Sequence, residues 1–326
     1  RHFLIQSDLL PDKIRFTLNK IQPYISNTPF VKASSKLDEF FSTNLYFKCE
    51  FLQKSGSFKA RGAINNILSV DKNKFQKGVT AVSAGNHAIA ASFVANLFKL
   101  NNKIFLYDTA NKYRISKCKS YNANIQFTNP KQAFMDASNA EKNGYYFIHP
   151  FDGPYTLQGS ATIGLEIIEY FKNLNKKLDY LIISVGGGGL ISGVSSYIKQ
   201  LSPNTKVIGV EPEGAKGMSS SLKLGKPLKN IKVNSIADSL CAPLHMEYSY
   251  NVAKYVIDEM VTVTDNEMKE FMIYAFDNLK LMLEPACVAG LAAIKYKISD
   301  KLKNKNSLVI LCGSNIDKKT WNELTN

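Results

Sequence analysis

The chain has 326 residues, 45% of them apolar and 21% charged, the balance of a globular protein with one large or two ordinary domains. No window approaches the ~20 uninterrupted apolar residues of a membrane span, and the N-terminal "RHFLIQSDLLPDK" carries acids and a proline too early for a signal peptide. The net charge of +14, from 41 Lys and Arg against 27 Asp and Glu, lies in short Asn-interspersed runs such as "NLNKKLD". Lacking interleaved aromatics, those runs read as a solvated surface and not as a nucleic-acid footprint.

An apolar-periodic segment follows "KSGSFKA", which places Lys59 at the mouth of a helix, one residue after Phe58. Next come the strand "GVTAVSA", the helical "HAIAASFVANLFKL", and the strands "KIFLYD", "NIQFT" and "GYYFIHP". "FDGPYTLQGS" reads as a turn signal before the helical "SATIGLEIIEYFKNL". The strand "DYLIISV" leads into the helix "GLISGVSSYIKQL", and "KVIGVEP" and "SLVILCGSN" are further strands. Several strands are apolar at every position, as in parallel sheets covered by helices on both faces. This rhythm predicts an α/β fold with two open, mostly parallel sheets flanked by helices. Ligands of such sheets bind beyond the carboxyl ends of the strands, so the strand stops carry the chemistry.

At one stop, Gly186, Gly187, Gly188 and Gly189 remove every side chain where a strand turns into a helix. Bare N–H groups at a helix N-terminus suit a phosphate. The loop matches neither the Walker A pattern nor G-x-G-x-x-G, which argues against a nucleoside triphosphate or a dinucleotide. At a second stop, Ser83, Ala84, Gly85, Asn86 and His87 open a helix and aim donors at an anion such as a carboxylate, N-capping being the plainer alternative. A third is Cys312, Gly313, Ser314 and Asn315. A lysine amine whose pKa is lowered by desolvation becomes a nucleophile toward carbonyls. Phosphate cradle, lysine and carboxylate loop together fit pyridoxal phosphate.

The five cysteines (Cys49, Cys118, Cys241, Cys287, Cys312) are odd in number and form no C-x-x-C, and the four histidines show no H-E-x-x-H. A disulfide framework and a zinc site are therefore unsupported, and a reducing, cytoplasmic compartment is expected.

"SGSFKARGA", "SAGNHAIA", "GGGGL" and "CGSN", in this order, resemble the second fold type of pyridoxal-phosphate enzymes (the tryptophan synthase β-like fold). More narrowly, they are similar to the serine/threonine dehydratase (threonine ammonia-lyase) and serine racemase group, from Thr28-Pro29 to Asn315. The resemblance implies that Lys59 holds the cofactor aldehyde and then moves the substrate's Cα proton. Phe58 would pack near the ring, Asn86 would bond its hydroxyl, Glu284 would lie near it, and Cys312 would face its nitrogen. Gly186 to Gly189 with the Leu190 backbone would grip the phosphate. Ser83, Ala84, Asn86 and His87 would form the substrate-carboxylate loop. It also implies a large domain of residues 1–74 and 151–326, a small mobile domain of 75–150, and a homodimer.

Two departures sharpen this. Racemases of the group carry a second serine in that loop, whereas Ala84 has no proton to give. Relatives with a divalent ion use E-P-x-x-A-x-D; here Glu211 and Ala215 remain but Gly217 replaces the aspartate, which weakens a Mg²⁺ or Ca²⁺ site and leaves a monovalent ion as an option. Only "IDKKTWNELTN" follows Asn315, so the likeness is to the short, catabolic dehydratases. The expected activity is conversion of L-threonine or L-serine to a 2-oxo acid and ammonia. The alternatives are a serine racemase with dehydratase side activity, a 3-hydroxyaspartate dehydratase, and a β-replacement enzyme like O-acetylserine sulfhydrylase. The partner is a small amino acid, with no nucleic acid and no membrane.

Overall fold

The computed structural model describes residues 6–326; Arg1 to Ile5, with His2 and the start of the stretch read against a signal peptide, lie outside the described residues. Among the described residues ten strands are present: β1 Phe30–Lys32, β2 Asn44–Cys49, β3 Val79–Ser83, β4 Asn102–Tyr107, β5 Ile125–Thr128, β6 Tyr146–Phe147, β7 Tyr180–Ser184, β8 Lys206–Pro212, β9 Glu259–Val263 and β10 Asn306–Leu311. Six of them form a sheet in the order β1-β2-β10-β7-β8-β9, parallel except for β1 against β2. The other four, β5-β4-β3-β6, form a parallel sheet of their own. The runs Leu181–Ile183 of β7 and Leu308–Leu311 of β10 are continuously apolar because helices cover both faces, and the main core lies around them.

Three strands were not legible. β9 is an edge strand with only Val263 buried, so it shows no continuous apolar run. β2 contains Lys48, fully buried and paired with Glu166 at 2.7 Å, a residue type that usually marks a surface. β1 has three residues and no buried position.

"FDGPYTLQGS" is a turn only at its start. Gly153 has φ 93°, and Pro154 then opens a 20-residue helix, Pro154–Asn173, in the first-turn position where its missing N–H costs nothing. Gly159 of that helix faces Gly62 of the helix Lys59–Ser69: a Cβ at 159 would stand 2.5 Å from the Gly62 Cα. Backbone meets backbone there, which sets the depth of the helix that starts at Lys59. Beneath it the fully buried Arg61 pairs with the buried Glu50 at 2.8 Å and with the partly buried Glu166 at 2.7 Å. Among the described residues no helix is long and apolar enough to cross a membrane.

Candidate active site

β7 and β10 are neighbours, with Val309 opposite Ile182, so the Gly186–189 loop and Cys312 emerge side by side. β3 of the smaller sheet ends at Ser83 and delivers the 83–87 loop from across the way. Together with the N-terminus of the Lys59 helix these loops enclose a cavity. Phe58, Lys59, Ser83, Ala84, Asn86, His87, Gly186 to Gly189, Leu190, Glu284 and Cys312 all border it. Residues up to 254 positions apart in the chain, from Phe58 to Cys312, are thereby brought to one place.

Lys59 Nζ donates to the Pro150 carbonyl and lies 5.0 Å from the Phe58 ring centroid. Desolvation lowers its pKa from 10.5 to about 8, against a smaller opposing effect of Cys312. The Phe58 N–H donates to the Cys312 carbonyl at 3.0 Å, which ties the lysine turn to the third strand stop.

Two glycines show why the loop is bare. Gly188 has φ 95°, a left-handed conformation, and a Cβ on Gly187 would stand 2.5 Å from Phe151 Cδ2. The loop opens the helix Gly189–Leu201, whose first N–H groups have no side-chain cap and are available to an anion.

Ser83 does not cap the helix Asn86–Leu97; its Oγ accepts from the Gly85 N–H at 2.8 Å. His87 is buried, and its Nε2 donates to the Ile148 carbonyl at 2.7 Å, since a carbonyl only accepts. Desolvation, then the nearby Lys59, push its pKa down to about 3, so the ring is neutral. His149 is lowered to about 3 as well, by desolvation and then by His87 and Lys59.

Asn86 Nδ2 donates to Glu284 Oε1 at 2.7 Å and to Ser239 Oγ at 3.2 Å, while its Oδ1 accepts from Asn315 Nδ2 at 2.8 Å. Glu284 also accepts from the Asn315 N–H at 3.1 Å and from Arg114 Nη2 at 3.4 Å. Desolvation raises its pKa, and Arg114 is the foremost opposing charge. Arg114, Asp238, Ser239 and the side chains of Tyr107, Phe134 and Phe151 went unread in the sequence, although all but Arg114 border the cavity. Arg114 stands in the lysine-rich "NKYRISKCKS", which looks like any solvated helix.

The three positions weighed for a metal lie elsewhere. Glu211 is buried, and its carboxylate accepts from the Met218 N–H at 2.9 Å, the Ser219 N–H at 3.0 Å and the Ser219 hydroxyl, capping the helix Gly217–Leu224. Ala215 is buried, and Gly217 opens that helix. Among the described residues no group of three or more His, Cys, Asp or Glu side chains is arranged to hold a metal.

A phosphate fits the bare amides of the glycine loop, and a carbonyl fits the partly neutral amine of Lys59 in the same cavity. The comparisons agree. The family described as "Pyridoxal-phosphate dependent enzyme" matches residues 21–313. A phenylserine dehydratase of Ralstonia pickettii is 39% identical over 304 residues, covering 93% of this chain and 92% of that one. An L-threonine ammonia-lyase of Thermotoga maritima is 35% identical over 289 residues, covering 87% of this chain and 70% of that protein. The structure of maize serine racemase superposes with a TM-score of 0.86 at 30% identity, over 96% of each chain. The chain belongs to the pyridoxal-phosphate-dependent enzymes of the second fold type, in the branch that holds threonine dehydratases, phenylserine dehydratase and serine racemases.

Proposed function

We propose that the protein is an ammonia-lyase of 3-hydroxy L-amino acids, converting L-threonine or L-serine by α,β-elimination to 2-oxobutyrate or pyruvate and ammonia. The observation that carries this is a lysine amine with a pKa of about 8 in one cavity with the glycine loop and the 83–87 loop, where alanine stands at position 84. Pyridoxal phosphate, when bound, supplies the sink for the electrons left at Cα.

The protein's own residues do the rest. Lys59 Nζ would hold the cofactor's carbonyl carbon and later accept the Cα proton. The Gly186–189 amides and that of Leu190 would hold the phosphate, and Phe58 would offer the ring an apolar face. Asn86 and Glu284 would bond on the ring's hydroxyl side. Cys312 would offer the ring nitrogen a sulfur ligand where a carboxylate would hold a proton on it, which would favour quick loss of a β-substituent over a long-lived carbanion. Ser83, Ala84, Asn86 and His87 would seat the substrate carboxylate. Ala84 brings no second proton donor, which separates this reading from a racemase. Residues 75–150 would close over the substrate and exclude water. We carry forward the homodimer, which sedimentation at working concentration would test, and the cytoplasm, for which the five free cysteines speak.

Phe134, Tyr107 and Phe151 on the cavity wall favour a second reading, a β-aryl substrate such as the phenylserine of the Ralstonia relative. One assay decides: 2-oxo acid release from L-threonine, L-serine and 3-phenylserine, with chiral analysis of the remaining amino acid. Oxo acid without D-isomer, abolished in Lys59→Ala, is the expected result, and the rates name the substrate. Turnover retained in Lys59→Ala, or racemisation without elimination, would overturn the proposal.

A further inference from the structure

The helix Lys112–Ser120 belongs to the segment that forms the smaller sheet, yet its arginine reaches toward the larger one. Arg114 is 3% exposed. Its Nη1 pairs with Asp238 at 2.5 Å, its Nη2 stands 3.4 Å from Glu284, and its Nε donates to the Asn315 carbonyl at 3.1 Å. Nη1 also reaches the Ala84 carbonyl at 3.5 Å. The guanidinium packs closely against the 83–87 loop: a Cβ at Gly85 would stand 2.6 Å from Arg114 Nε and 2.7 Å from its Cζ. Among the described residues, the ion pairs that join the 79–147 segment to the rest of the chain are both made by Arg114.

A buried guanidinium carries a large desolvation cost unless several partners compensate it. Here the planar fork serves two carboxylates and two carbonyls at once, a task that a single ammonium does not match. The partners are also informative. Glu284 bonds Asn86, the first residue of the helix after the loop, and Asp238 opens the turn Asp238–Leu240, whose Ser239 bonds Asn86 too. Without Arg114, Glu284 is a buried carboxylate lacking its nearest counter-charge, and the anchors of the loop slacken together.

We propose that Arg114 is a positioning residue that seats the Ser83–His87 loop against Glu284 and the Asp238 turn, so that the site for an amino-acid carboxylate is complete only while the guanidinium is docked. This rests on the reading of that loop as the carboxylate site. It does not depend on which bond is later broken.

The test uses the cofactor-loaded enzyme and glycine, which has no β-substituent to lose. Glycine binding is read from the absorbance of the bound cofactor, beside the cofactor's own dissociation constant and the KM and kcat for L-threonine. Arg114→Gln should weaken glycine and raise KM by about tenfold or more, the scale for breaking a buried charge pair, with a several-fold smaller loss of cofactor affinity, because the Gly186–189 loop and Lys59 do not touch the guanidinium. Arg114→Lys should recover part of the loss. Asp238→Asn, which keeps the Glu284 contact, should fall between the wild type and Arg114→Gln. Unchanged glycine binding in Arg114→Gln overturns the proposal, and so does an equal loss of glycine and cofactor. Should Arg114→Gln not fold, unaltered glycine affinity in Asp238→Asn overturns it. A protein that forms no 2-oxo acid but binds glycine in an Arg114-dependent way sinks the lyase reading and keeps this one; oxo acid formation with no Arg114 effect does the reverse.

Discussion

An exposed lysine near pH 7 is uncharged in only about one molecule in a few thousand, whereas a pKa of about 8 leaves roughly a tenth of Lys59 as free amine. The neutral form is the nucleophile, and it grows as pH rises through the pKa. Capture of pyridoxal phosphate by the cofactor-free protein should therefore accelerate with pH and level off a little above pH 8. A rate still climbing toward pH 10.5 would mean that the amine is solvated. Ala84 makes the complementary case. Its methyl borders the cavity and has no proton to exchange, so Ala84→Ser should bring D-serine formation from L-serine, measured by chiral chromatography, at a detectable fraction of the oxo-acid rate. No D-serine would put any second donor elsewhere. Lys59 and Ala84 stand out in the sequence because they sit in short motifs that resemble those of a known family. Arg114 is not, because nothing within ten residues of it hints that Asp238 and Glu284 will be its partners.

Among the elements, the pair of helices Lys59–Ser69 and Pro154–Asn173 decides where the lysine stands. Their contact at Gly62 and Gly159 leaves no room for a methyl group: a Cβ at 159 would also lie 2.7 Å from the Arg61 carbonyl carbon. Gly159→Ala must push backbone against backbone, and overpacking of this kind costs about 1–3 kcal/mol. We expect a lower melting temperature together with weaker cofactor binding, as the Lys59 helix shifts outward; an unchanged melting temperature would show that the helices separate freely. In the sequence Gly159 looks like part of a turn, since glycine there speaks equally for a bend and for a close helix contact. The glycine loop was easier. Four glycines in a row exceed what a turn needs, but the reason for Gly187, the Phe151 ring pressed against it, came only from the fold.

Across the whole molecule, two mostly parallel sheets present their strand ends to one another, and the cavity lies where β3, β7 and β10 stop. The charge surplus is mostly at the surface, as composition suggested, but Lys48, Arg61 and Arg114 are inside, each paired with carboxylates. Composition does not separate such cations from solvated ones; only the partner's position does. By itself the sequence determined the α/β class, the glycine loop at a strand end, the lysine and the lack of a proton donor at position 84. Each of these depends on the backbone and side chains of a few consecutive residues. The tertiary structure alone decided that the loops after β7 and β10 lie side by side, that the 83–87 loop faces them, and that Arg114 binds across the gap. Those neighbours follow from the order in which strands pair in the two sheets, and hydrogen bonding along a sheet edge leaves no local trace in the residues that it joins.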